Sequence, residues 1–324
     1  MSLSRRVKKA VKKFIFDGPD SRKRVIVKLF RIKPKYYTDE EKKELIRKMT
    51  EANRSQNRSL EGLDEALLPG LDISSVSLPN ASGYLLKKKG NPEDRIVYYI
   101  HGGGFSGSCT RDRMPFISYV VKNFGFNVFS IDYRLAPEYM FPCAPDDCLD
   151  GWKYLLESYE SRNIVLVGES AGGNLVLALS LLLRDRKLPL PAAVYSNSPV
   201  TQFDEYTGSY RLFSLKKDFI VTEGIIDNLR DIYYRKEDMD NPYCAPLHAS
   251  DFSSLPPVFI TAGESECLRD DGVMMAERLK AAGNECTLKL YPGLCHAFII
   301  SPQMEKVVKT AYPDFREFLD KYLK

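Results

Sequence analysis

The chain is poor in histidine, and its cysteines are not spaced as in a metal centre or a set of covalent cross-links. Its 324 residues include only three histidines, His101, His248 and His296, which nearly excludes a histidine-rich metal site. Its seven cysteines are scattered and form no CxxC pair, which argues against a disulfide framework and against structural zinc. Because this usage is typical of a reducing compartment, we expect a cytoplasmic protein.

Long apolar runs are missing as well. No run approaches the roughly 20 residues that a helix needs to cross a bilayer. The opening stretch MSLSRRVKKAVKKFIF is basic but lacks the apolar core and the small-residue cleavage site of a secretory signal. The sequence therefore predicts neither a membrane span nor a secretory leader.

Charge is nearly balanced overall, at +4 from 47 Lys and Arg against 43 Asp and Glu, but it is unevenly placed. Residues 1–35 hold thirteen Lys or Arg against Asp17 and Asp20 alone. We interpret this segment as a solvated amphipathic helix and expect no nucleic-acid partner. A weak contact with an anionic membrane surface stays open.

From residue 95 onward, short apolar runs alternate with helical patterns. The runs are rich in Val and Ile, as in strands that are covered on both faces, and the alternation predicts a mostly parallel sheet between helices. The predicted strands are RIVYYI, NVFSID, NIVLVG, AAVYSN, PVFITAG and ECTLKLYPG. Two regions lie outside this alternation of strands and helices. We therefore predict an N-terminal helical cap segment over 1–70 and a main domain over 71–324. Within the main domain we predict a cap insertion at about 201–245.

A serine motif stands at one of the predicted strand-to-helix turns. Gly168-Glu169-Ser170-Ala171-Gly172 follows the strand NIVLVG and opens an apolar helix, the context in which GxSxG forms a nucleophile elbow. The glycines leave room for a tight turn that exposes Ser170 and points the Ala171 N–H beside it. The sequence therefore predicts that Ser170 is a nucleophile.

A serine nucleophile needs a base, and few histidines are available. Only His296 follows Ser170 and every candidate acid, in the order nucleophile, acid, histidine that accompanies this elbow. We predict that His296 is the base and that His248 is a loop residue.

The triplet Gly102-Gly103-Gly104 follows another predicted strand, in YYIHGGGF. Three glycines cost backbone entropy on folding, yet without Cβ atoms they let the main chain present successive N–H groups at close range. A tetrahedral intermediate needs such preorganised donors for its oxyanion. We predict that Gly103, Gly104 and Ala171 supply them, while Gly102 shapes the loop and His101 holds it by hydrogen bonding.

Taken together, HGGGF, DYRLAPE, FPCAPDD, GESAGGN and CHAF resemble the hormone-sensitive lipase family of carboxylesterases, over roughly residues 80–322. The resemblance implies an α/β-hydrolase fold, with a mostly parallel sheet of about eight strands flanked by helices and a helical cap. It also implies a serine esterase with a Ser–acid–His triad that needs no cofactor and no metal ion.

The expected substrates are small to medium apolar carboxylic esters, cleaved through an acyl-enzyme. Phe105, Phe203 and Phe213 are assigned to an apolar substrate pocket, and the protein is expected to be a monomer or a homodimer.

The resemblance assigns the acid with one departure. Family members usually carry Asp two residues before a Leu that precedes an acidic pair. In AGESECLRDDG, Glu266 stands in that place, and Glu can also orient an imidazole. Glu264 and Asp270 stay open as alternatives, although Asp270 and Asp271 are also explained as carboxylates at a helix start.

Two other functions compete with an esterase. One is a binding module on the same core, as in hormone receptors that resemble these enzymes but lack the catalytic histidine; the presence of His296 argues against it. The other is a peptidase or an interfacial lipase, which the basic N-terminal segment favours only weakly.

Overall fold

The computed structural model describes residues 38–55, 60, 63, 68–204, 207–213, 218, 220–221, 229 and 232–324. The basic segment 1–35 lies outside these residues, so the amphipathic helix proposed for it stays a prediction.

A single eight-stranded sheet organises the described part of the chain. Its spatial order is β1-β2-β4-β3-β5-β6-β7-β8. The strands β3 to β8 are parallel, whereas β2 pairs antiparallel with both β1 and β4. The strands are β1 Asp72–Ser77, β2 Ser82–Lys87, β3 Ile96–Ile100, β4 Asn127–Asp132, β5 Ile164–Glu169, β6 Ala193–Asn197, β7 Val258–Gly263 and β8 Cys286–Tyr291.

In the described residues, one helix precedes the sheet, and from β3 onward helices lie between or after the strands. These helices are α1 Asp39–Ser55, α2 Thr110–Tyr119, α3 Cys143–Leu156, α4 Ala171–Asp185, α5 Gly208–Phe213, α6 Arg269–Ala281 and α7 Glu305–Tyr322. The six strands predicted from apolar runs are confirmed as β3 to β8. The strands β1 and β2 were missed, because β1 is mostly exposed and Val76 is its only buried residue.

The sheet separates two hydrophobic cores because successive side chains of a strand point to opposite faces. In β3, Ile96, Tyr98 and Ile100 enter one core, whereas Val97 and Tyr99 enter the other. All five are at most 1% exposed. Covering on both faces explains why these strands read as uninterrupted apolar runs.

The regions predicted as caps are described in part. Helix α1 packs Leu45, Ile46 and Met49 against the first core, and Asn53 donates to the Ala136 carbonyl at 3.0 Å. Helix α5 belongs to the insertion at 201–245. The division into a cap segment, a main domain and a cap insertion stays a prediction.

The turn after β4 is held by a buried ion pair. Asp147, fully buried in α3, accepts from the Arg134 backbone N–H at 2.8 Å and from its guanidinium at 2.7 and 3.0 Å. Since Arg134 lies in the DYRLAPE motif, this contact agrees with a structural role for that residue.

We expect Asp147→Ala to lower the free energy of unfolding by about 2–4 kcal/mol, because it leaves both the Arg134 N–H and its guanidinium without their acceptor. Asp150→Ala, in the same helix, removes only a 3.2 Å pair with the exposed Lys153 and should cost about 1 kcal/mol or less. Urea denaturation followed by circular dichroism measures both values. Equal losses would show that the Arg134 pair contributes nothing beyond a surface contact.

Candidate active site

Ser170 lies in the turn that joins β5 to α4. Its backbone adopts φ 56° and ψ −119°, a conformation that L-residues rarely take and that functional sites often retain. A Cβ on Gly172 would collide with the carbonyl oxygen of Ile100, and one on Gly168 would collide with that of Gly172. The two glycines therefore let this strained turn pack directly against the end of β3.

His296 faces Ser170 from the loop after β8. Its Nε2 lies 2.9 Å from the Ser170 Oγ, and the residue is 5% exposed. Burial lowers the pKa of His296, but its interaction with the Glu266 carboxylate, together with the charges of Asp218 and Glu169, outweighs burial and holds the pKa above its usual value.

Glu266 approaches the other ring nitrogen of this histidine. Its Oε1 lies 3.5 Å from the His296 Nδ1. Its Oε2 accepts from the Gly263 N–H at 2.8 Å and from the Ser198 hydroxyl at 2.9 Å. Because both donors hold the same oxygen, the other oxygen is directed at the imidazole. The structure thus brings together the three residues predicted as a triad.

Ser198 was missed by the sequence reasoning. It follows β6 with φ 50°, and its hydroxyl also accepts from the Ala297 N–H at 3.1 Å. This side chain therefore links the acid to the histidine loop. A serine directly after a buried strand was its only signal, and many serines share that placement.

The three neighbouring carboxylates point elsewhere. Glu264 is exposed. Asp270 accepts from the Ser209 N–H at 2.7 Å, and Asp271 accepts from the Thr201 N–H at 2.8 Å. Burial raises the pKa of Asp271 to about 7, against the lowering effect of its hydrogen bonds. Asp270 and Asp271 do lie in the first turn of α6, as expected, but their side chains bind the segment after β6.

The glycine loop adjoins the nucleophile. A Cβ on Gly102 would lie 3.0 Å from the Ser170 Cβ. Gly103 and Gly104 have φ of 120° and 62°, values that suit glycine. Among the described residues, the N–H groups of Gly103, Gly104 and Ala171 meet no acceptor. They are therefore free to bind a negative oxygen beside Ser170.

Glu169, the variable position of the serine motif, holds this loop. Its Oε1 accepts from the Gly102 N–H and from the Arg113 Nε, both at 2.7 Å. Its Oε2 accepts from the Tyr99 hydroxyl at 2.7 Å, and the carboxylate is fully buried. The sequence reasoning missed this role. The only signal was an acidic residue within an otherwise small motif.

The other two histidines lie outside this array. His101 Nδ1 lies 2.8 Å from the Gly102 carbonyl, and its ring stacks on Tyr133 at 4.3 Å. His248 Nε2 instead lies 3.1 Å from Asp204. Both contacts agree with the structural roles expected of these residues.

The aromatic residues assigned to the substrate pocket are buried against other rings. Phe105 stacks on Tyr233 at 3.7 Å, and Phe203 stacks on Tyr234 at 4.6 Å. Phe213 lies 5.1 Å from the Arg269 guanidinium. Their contact with a substrate stays a prediction.

Two further properties concern only the described part of the chain. It contains no cluster of three or more His, Cys, Asp or Glu side chains that could hold a metal ion. It also contains no helix long and apolar enough to cross a membrane.

Comparison with known proteins groups this chain with hydrolases. A family model of the α/β hydrolase fold matches residues 97–300. An esterase of Acinetobacter venetianus is 27% identical over 87% of this chain and 95% of its own. An arylesterase of Saccharolobus solfataricus is 35% identical over 66% of this chain and 71% of its own.

A solved esterase of the bacterial hormone-sensitive lipase family is 25% identical and covers 100% of both chains, with a TM-score of 0.76. The fold class expected from the sequence is confirmed.

We expect Gly102→Ala to slow the labelling of Ser170 by an organophosphate probe about tenfold or more, because the loop that carries the donors must move. The added Cβ would lie 2.5 Å from the Glu169 carbonyl. Gly107→Ala is the matched control in the same loop, since its Cβ would meet nothing closer than 3.7 Å. Equal labelling rates in the two variants would contradict the assignment.

Proposed function

The chain belongs to the α/β-hydrolase fold family and, within it, to the hormone-sensitive lipase family of carboxylesterases, and from this premise we propose that it hydrolyses esters with Ser170 as nucleophile. The observation that carries the proposal is the 2.9 Å approach of the His296 Nε2 to the Ser170 Oγ. A buried carboxylate, Glu266, faces the other ring nitrogen.

In the acylation step, Ser170 Oγ attacks the carbonyl carbon of the ester while His296 Nε2 accepts the hydroxyl proton. The carbonyl oxygen becomes an oxyanion that accepts from the N–H groups of Gly103, Gly104 and Ala171. One such donor is typically worth about 3 kcal/mol in the transition state. The carboxylate of Glu266 stabilises the imidazolium that forms.

Collapse of this intermediate breaks the ester C–O bond, and His296 gives its proton to the departing alcohol. The acyl group then remains on Ser170. Water attacks this acyl-enzyme as His296 takes one of its protons, and the carboxylic acid leaves when the proton returns to Ser170 Oγ. Each residue ends the cycle in its starting state, so no cofactor is required by the scheme.

We propose small to medium apolar esters as substrates. The support is the set of buried rings beside the oxyanion donors, with Phe105 next to Gly104 in the chain and Phe203 packed near it at 6.3 Å between ring centroids. An apolar acyl group gains about 25 cal/mol for each Å² that it buries against such surface.

We expect the parent protein to hydrolyse p-nitrophenyl esters, with acyl chains from acetate to octanoate preferred over longer ones. Ser170→Ala should lower kcat at least about 10⁴-fold, because the variant lacks the reacting hydroxyl. Its melting temperature should stay nearly unchanged, because this hydroxyl contributes little to packing. A chain-length series on both proteins measures this. If Ser170→Ala keeps an activity within tenfold of the parent, Ser170 is not the nucleophile. If the parent itself shows no turnover from pH 6 to 9, the protein is a binding module and not an esterase.

We expect Glu266→Gln to lower kcat by about two or more orders of magnitude, since an amide cannot stabilise imidazolium.

The pH profile should change as well. The value of kcat/KM depends on neutral His296, and the neighbouring carboxylates raise the pKa of this histidine. The rise of kcat/KM on the acidic side of the parent's pH profile, its acid limb, should therefore be centred above about pH 6.5. Removing the charge of Glu266 lowers that pKa and moves the limb to lower pH.

Glu264→Gln is the matched control for this experiment, because Glu264 belongs to the same loop but is exposed. It should keep both the kcat and the acid limb of the parent. A collapse of activity in this control, with Glu266→Gln active, would move the acid role to Glu264.

A further inference from the structure

The residue that follows the catalytic acid is bound entirely by the cap insertion. The Cys267 N–H donates to the Asp218 Oδ2 at 2.8 Å, and its carbonyl accepts from the Ser209 hydroxyl at 2.6 Å. Its thiol lies 3.0 Å from the Val221 carbonyl. Burial raises the pKa of this thiol, so it stays protonated and can donate.

The two carboxylate oxygens of Asp218 bind different partners. It is 3% exposed, and its Oδ1 accepts from the N–H groups of Ile220 and Val221 at 2.9 and 3.0 Å. One carboxylate oxygen therefore organises a turn of the cap, and the other is left for the loop that carries the acid.

Ser209 binds the same loop at a second point. Its hydroxyl accepts from the Asp270 N–H at 3.1 Å, and its own N–H donates to the Asp270 carboxylate at 2.7 Å. The acid loop is thus held from two sides: Glu266 by Gly263 and Ser198 of the core, and the residues just after it by the cap.

This arrangement has consequences for the array of Ser170, His296 and Glu266. Cys267 is fully buried, so loss of the cap contacts would leave its N–H and carbonyl unpaired, and the loop would have to relax. The 3.5 Å between Glu266 and His296 already exceeds the usual length of a charge-assisted hydrogen bond, about 2.7–2.9 Å. A small shift of the loop would weaken this contact further.

We propose that the cap insertion positions the catalytic acid, with Asp218 and Ser209 as positioning residues for Glu266, so that docking of the cap and assembly of the triad are coupled. This inference rests on the proposed esterase function. The cap thereby has a role in the chemistry.

The charge of Asp218 offers a readout that a purely structural contact does not. The charged groups that act on His296 are the carboxylates of Glu266, Asp218 and Glu169, and Glu169 is itself paired with Arg113. Replacement of Asp218 by a neutral residue therefore removes a charge that favours imidazolium.

The test compares three variants on a p-nitrophenyl ester across pH. Asp218→Asn should lower kcat about tenfold with KM within about twofold, because the acid is displaced while the substrate pocket is kept, and its acid limb should move to lower pH. Ser209→Ala keeps every charge and displaces Glu266 only through the lost contact, so it should lower kcat severalfold and move the limb to lower pH by less than Asp218→Asn does. Asp204→Asn is the matched control, since this cap carboxylate binds His248 instead of the acid loop, and it should match the parent.

The inference is overturned if Asp218→Asn shares the kcat and the acid limb of Asp204→Asn. A lower kcat that only follows a lower melting temperature, with an unmoved limb, marks a structural contact and also overturns it. If Asp218→Asn fails to fold, Ser209→Ala decides, and parental kcat in that variant refutes the coupling. Failure of the proposed function is distinguishable, because the parent itself would then show no turnover.

Discussion

The backbone of the Ser170 turn lies against the end of β3 with no room for a side chain between them, and the rest of the site is built on this contact. Gly172 makes the approach sterically allowed. Glu169 then ties the turn to the glycine loop through the Gly102 N–H. Since Ser170 and the glycine loop follow two adjacent parallel strands, β5 and β3, the sheet fixes their relative position.

Buried carboxylates take different roles in this protein because their surroundings differ. Glu169 is paired with Arg113, so its charge is balanced and it serves as a rigid acceptor. Glu266 receives only neutral donors on one oxygen, and its charge is directed to His296. Asp271 accepts a backbone N–H and has no cationic partner among the residues that the structure describes, and burial raises its pKa to about 7. The role of each group follows from what offsets its desolvation.

In its described residues, the segment 201–245 contacts both sides of the candidate site. Tyr233 stacks on Phe105, next to Gly104 in the chain, and Asp218 binds Cys267, next to Glu266. Stacking and hydrogen bonding of these kinds resist small displacements, so this segment stabilises the positions of the glycine loop and of Glu266.

Much of this protein could be predicted from local patterns. The strands β3 to β7 are buried along their whole length and read as apolar runs because the sheet is covered on both faces. The turn at Ser170 and the glycine loop follow from backbone conformations that few residue types adopt. The strands β1 and β2 lie at the edge of the sheet, are only partly buried, and were missed.

Among four close carboxylates, placement at a helix start explained Asp270 and Asp271, and the resemblance favoured Glu266 over Glu264. The structure places Glu266 alone of the four against His296. That pairing joins residues of two different loops, and the roles of Ser198, Glu169 and Asp218 depend on contacts between residues 49 to 68 positions apart in the chain. Sequence patterns specify local conformation, whereas such contacts exist only once the sheet and the cap have folded around them.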